Sequence, residues 1–71
     1  MSKLHSSREI EAVLIKLGFL KVSQKGSHAK FKDQDGTTVI LPMSKKEIPE
    51  GTFRSILKQA DTSLKKFNSL V

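Results

Sequence analysis

The stretch Lys25-Gly26-Ser27-His28 has the most chemical capacity in this chain. Imidazole is the side chain that exchanges a proton near neutral pH, with an unperturbed pKa of about 6.5. Lys25 and Lys30 lie either side of His28 and offer cations to a phosphate. Gly26 lets another backbone approach closely, and the Ser27 hydroxyl can donate to a phosphate oxygen. Positioning, charge stabilisation and one proton-transfer group make a minimal kit for cleaving an RNA backbone. Other chemistries are poorly served. There is no cysteine, which removes disulfides, thiolate nucleophiles and thiolate metal sites. With two His, no Gly-rich phosphate loop, no carboxylate cluster and no Ser–His–Asp pattern, neither a metal nor a small-molecule cofactor is expected.

A plainer reading fits the same residues. Lys30 and Lys32 alternate with Ala29 and Phe31, the ordinary polar side of a half-buried strand. A His among lysines on such a strand is most often simply solvated, since short motifs match by chance. His5 precedes the first helix and reads as exposed and uninvolved, and Lys45-Lys46 reads as a solvated loop. Residue types alone reach a basic face with one suggestive His, and stop short of catalysis.

The elements that must position these residues are legible. Ser6-Ser7-Arg8-Glu9 reads as a capping box, and Ile10, Val13, Leu14 and Leu17 then recur on one helical face. Gly18 suits a left-handed helix cap, and Ile15 falls off the apolar face. Three short strands follow, over 19–24, 27–33 and 37–42. Lys25-Gly26 reads as a tight hairpin loop, and Gln34-Asp35-Gly36 as a three-residue loop with Gly36 left-handed. Those loops pair Val22 with Ala29, Leu20 with Phe31, Phe31 with Val39 and Ala29 with Leu41. Leu20, Val22, Ala29, Phe31, Val39 and Leu41 then share a core face. Lys21, Ser23, His28, Lys30, Lys32, Thr38 and Ile40 share the other, with Lys21 directly across from Lys30. Such like-charge opposition suits a face kept for an anion. After a polar connection, Pro49 is expected as a first helical residue, and Phe53, Ile56, Leu57 and Ala60 form a second apolar helical face. Leu64, Phe67 and Val71 suggest a short last helix. The fold class is α+β: α-β-β-β-α, an antiparallel three-stranded sheet with helices on one face.

Length and charge bound the rest. At 71 residues the chain is expected to form a single domain, 1–71, with a modest core. Thirteen Lys plus Arg against seven Asp plus Glu leave +6, which favours nucleic acid or an acidic protein as partner. No apolar run approaches the ~20 residues of a membrane span. With no secretory pattern and no cysteine, a cytoplasmic location is expected.

Three stretches resemble the HicA family, the toxin component of toxin–antitoxin pairs. They are EAVLIKLGF over 11–19, VSQKGSH over 22–28 with the Asp35-Gly36 turn and 39–42, and GTFRSILKQA over 51–60. The last departs from the family's Gly-Thr-Leu-Arg-Ser-Ile-Leu-Lys-Gln pattern by one Leu-to-Phe change, at Phe53. The resemblance implies a fold like the double-stranded-RNA-binding domain. It also implies an mRNA-cleaving endoribonuclease neutralised by a HicB-type antitoxin that covers the active face. The family's functional His falls on His28, within an intact Gly26-Ser27-His28. Lys25, Gly26, Ser27, Lys30, Lys21 and Lys32 are the expected RNA-binding residues. Many relatives carry a further His just after the third strand, where this chain reads Pro42-Met43-Ser44. The Lys-Lys-x-Ala-Lys signature of duplex-RNA binding is also missing, which favours single-stranded or loop RNA over long duplex. The alternative is a non-catalytic small basic RNA-binding module, which would bind RNA without breaking it. A third class, a basic surface that only docks an acidic protein, predicts no appreciable RNA binding.

Overall fold

A computed structural model describes residues 3–71 of the chain. The order is α1 (Ser7–Lys16), β1 (Leu20–Lys25), β2 (His28–Lys32), β3 (Thr38–Pro42), α2 (Glu50–Gln59) and α3 (Leu64–Leu70). The three strands form one antiparallel sheet in the order β1-β2-β3. This is the expected α+β arrangement, with the last helix distinct. Among the described residues no helix is long and apolar enough to cross a membrane.

The capping box forms as the sequence predicts. Ser6 Oγ accepts from the Glu9 N–H at 3.1 Å, and Glu9 Oε1 accepts from the Ser6 N–H at 2.9 Å. Gly18, at φ +98°, ends α1 in the left-handed region. Pro49 sits one position earlier than predicted: it is the N-cap of α2, with extended ψ of 148°, and the helix starts at Glu50. Asp61, at φ 54°, supplies the left-handed turn after α2, and Ser63 caps α3 by accepting from the Lys66 N–H.

The β2–β3 register is as predicted, with Ala29 opposite Leu41 and Phe31 opposite Val39. Gly36 takes φ +82°, and Asp33 Oδ1 accepts from the N–H groups of Asp35 and Thr37, which sets the three-residue loop. Ala29, Phe31, Val39 and Leu41 are fully buried under Ile10, Val13, Leu14, Phe53, Ile56 and Phe67. Burying a side chain such as Phe31 contributes roughly 2–3 kcal/mol.

The β1–β2 register differs from the expectation. The turn is Gly26-Ser27 rather than Lys25-Gly26, so Lys25 pairs with His28, Gln24 with Ala29 and Ser23 with Lys30. Of the two turn residues only Gly26 has positive φ, +59°, the pattern of a type II′ turn. That turn needs φ > 0 at its first central position. The predicted loop would have put Lys25 there, at a cost of roughly 1–2 kcal/mol. Val22 is then the extra residue of a bulge, beyond which Lys21 pairs with Phe31 and Leu20 with Lys32. Leu20 and Val22 are therefore not core residues: they are 65% and 54% exposed. The bulge puts Leu20 opposite Lys32, on the face away from the helices, and the helices pack chiefly on β3.

Other corrections concern the core margin. Ile48, inside the supposedly polar connection, is fully buried, and its N–H donates to the His5 carbonyl at 2.7 Å. His5 is half-buried rather than exposed, its ring 5.2 Å from Phe53 and 4.9 Å from Phe67. Of Leu64, Phe67 and Val71, whose spacing suggested the last helix, only Phe67 is buried, and Leu64 and Val71 are exposed.

Candidate nucleic-acid interface

The Gly26-Ser27 turn sets the geometry of the site. It places Lys25 and His28 directly opposite one another at the end of the β1–β2 ladder. Side chains so paired have Cβ atoms about 5 Å apart. His28 also pairs with Pro42 on its other side, giving a row Lys25–His28–Pro42 across the sheet face away from the helices. Lys30 lies two residues along β2 on the same face, roughly 7 Å from His28, and Lys32 two further on. Their strand alternates buried and exposed residues without exception, so His28, Lys30 and Lys32 all face solvent while Ala29 and Phe31 are buried.

The turn is anchored on the β3 side. The Met43 N–H donates to the Ser27 carbonyl at 2.6 Å, one step beyond the His28–Pro42 pair. Gln24 Nε2 donates to the Gly26 carbonyl at 3.1 Å. The turn backbone is thus held while the Ser27 side chain remains exposed. Ser44, next to Met43, lies beside this turn with φ 62°. His is one of the non-glycine residues enriched in that left-handed region, so the backbone at Ser44 is one that a His would also accept.

Lys21 is not part of the row. It pairs with Phe31, hence lies on the helix side of the sheet, and its Nζ donates to Gln24 Oε1 at 3.1 Å. The predicted Lys21–Lys30 opposition does not occur, because Ser23 is the partner of Lys30. The turn shift and the bulge together move it. Lys45 and Lys46 are exposed in a loop, as read from the sequence, and α1 holds the backbone of that loop. Ser7, 2% exposed, donates from Oγ to the Pro42 carbonyl at 2.6 Å and accepts from the Lys45 N–H at 3.0 Å. This fixes Lys45 and Lys46 just after β3, at the same end of the sheet as His28.

The field of the site is one-signed. The three strands carry Lys21, Lys25, Lys30 and Lys32 and no Asp or Glu. Among the described residues the ion pairs are His5–Glu9 and Arg54–Glu50, neither of them on the sheet. All four Phe are buried, at 0–5% exposure, so the face offers cations and an imidazole but no aromatic platform. In its chemistry such a surface suits phosphate contacts better than base stacking.

The structure is thus a small α+β domain that presents an exposed imidazole on a sheet whose strands carry lysines and no Asp or Glu. The family can be stated as well. The family model of the HicA toxin of bacterial toxin–antitoxin pairs matches residues 7–62. The chain belongs to the HicA toxin family, and an antitoxin partner follows from that membership. The match takes in α1, the whole sheet, the Gly26-Ser27-His28 turn and α2. No curated protein matches the chain.

Proposed function

We propose that this toxin is an endoribonuclease that cleaves mRNA without a metal, with His28 as its catalytic residue. The observation that carries the reading is the row Lys25–His28 beside Lys30, exposed on a sheet face with no carboxylate. RNA lies across that face with a phosphate between Lys25 and Lys30. The ribose 2′-oxygen attacks the adjacent phosphorus and the bond to the 5′-oxygen breaks. His28 either takes the 2′-hydroxyl proton or supplies one to the departing 5′-oxygen. Water exchanges the other proton. Lys25 and Lys30 stabilise the charge that builds on the phosphate oxygens, helped by the Ser27 hydroxyl. Lys32 extends the basic track along β2, and Gly26 keeps the turn open to a close backbone approach.

The family relation and the basic face support RNA as substrate and a HicB-type antitoxin as inhibitor, both acting in the cytoplasm. Membership in a toxin family favours cleavage over the plain binding-module reading. Cleavage of labelled mRNA by wild type and His28→Ala separates the two. A binding module retains RNA in a gel shift and leaves it intact.

A further inference from the structure

The sheet has two edges, and only one of them is closed. On the β3 side the Ile40 N–H, which points away from β2, donates to Gln59 Oε1 at 2.9 Å. Gln59 is itself held, its Nε2 donating to Ser55 Oγ one turn earlier in α2. On the β1 side no element of the described chain pairs with the strand, and all six of its residues are exposed. An uncovered edge is a template for a further strand. Here it carries two large apolar side chains in the open, Leu20 and Val22, which a protein partner would cover.

Charge decides what fits. Lysines and a bulge on an edge are ordinary defences against pairing with a second copy. Lys21 and Lys25, on a chain of net charge +6, repel another copy but attract carboxylates. We propose that the free edge of β1 receives an extended, acidic strand of the antitoxin, adding a fourth strand to the sheet. The proposal rests on the function above for the identity of the partner. The added strand would lie about 5 Å beyond β1 and roughly 10 Å from β2. Its side chains across from Lys25 would then compete for the cation that faces His28. Docking and inhibition become one event.

The test uses the full ¹⁵N-labelled chain and two acetylated peptides of about eight residues that alternate Glu with Val, a strand-forming residue. The second peptide has alternate amides N-methylated, which removes edge pairing and keeps charge and side chains. The expected result is saturable shifts over the Leu20–Lys25 amides. Affinity for the methylated peptide should be at least about tenfold weaker, a difference of ~1.4 kcal/mol. Gln59→Ala should open the second edge and add a binding event over Thr38–Pro42. Equal affinity for both peptides, shifts confined to α2 and α3, or no binding overturns the proposal. So does self-association through β1 in the absence of peptide. RNA cleavage is assayed on the same sample without peptide. Binding at β1 without cleavage removes the nuclease and leaves the edge, while cleavage without binding does the reverse.

Discussion

Lys25 and His28 face each other across the first hairpin, joined by a two-residue turn in which Gly26 alone takes positive φ. A cation and an imidazole are thereby fixed side by side by backbone geometry, with no hydrogen bond between their side chains needed. The consequences can be tested one at a time.

The turn itself is the first. At Gly26 an added Cβ meets no atom within 4 Å, so Gly26→Ala is not opposed by packing. Its cost comes from φ +59° alone and should be roughly 1–2 kcal/mol. Denaturant unfolding measures it. Cleavage should fall further than stability does, because relaxation of the turn moves Lys25 out of line with His28.

The lysines should divide by face. Lys25→Ala and Lys30→Ala should each lower the salt dependence of RNA binding, by about 0.7 in the slope of log K against log salt for one lost single-strand phosphate contact. Lys21→Ala should leave that slope unchanged, since Lys21 lies on the helix side. Titrations at several salt concentrations give all three slopes.

Ser7 ties the loop after β3 to α1. Ser7→Ala strips the Pro42 carbonyl and the Lys45 N–H of a buried partner, which should cost about 1–3 kcal/mol. Thermal unfolding reads this directly. The fold should survive, and Lys45 and Lys46 should gain mobility in amide relaxation measurements.

Acid should weaken the first helix. The Ser6 N–H beside Glu9 holds its carboxyl below the usual glutamate range. A carboxyl depressed in the folded state stabilises fully above its unfolded pKa, and that share is lost as pH falls through the folded value. The stability gap between wild type and Glu9→Gln should therefore shrink on acidification. Urea unfolding at pH 7 and at mildly acidic pH provides the comparison. Ser6→Ala, which removes the other half of the box, should cost about 1 kcal/mol at neutral pH.

How much of this was legible in the sequence depends on which rule governed each element. Caps and periodicity are local, so the Ser6–Glu9 box, the Gly18 cap and the Phe53–Ile56–Leu57 face were readable. The β2–β3 register was readable because both strands are covered on one side, and a one-residue slip would expose Phe31. β1 lacked that constraint. The apolar alternation of Leu20 and Val22 suggested burial, but the bulge turns Leu20 to the face of Lys32 and the helices pack chiefly on β3. The Gly-Ser pair was the better signal for the turn, because only Gly meets its backbone demand at no cost. Long-range placement was not legible. Nothing local shows that Ile48 is fully buried, or that His5 packs against Phe53 and Phe67. In the site, His28 and its lysine neighbours were visible as types and spacing. The placement of Lys21 on the helix side required the register.

The most direct measurement is cleavage of a labelled mRNA by purified protein in EDTA, wild type against His28→Ala, with circular dichroism of both. His28 is exposed and outside the core, so the variant should keep the wild-type fold. Metal-independent cleavage by the wild type, reduced by about 10²-fold or more in the folded variant, is the predicted result. Cleavage by His28→Ala at the wild-type rate would contradict the assignment of the chemistry to His28.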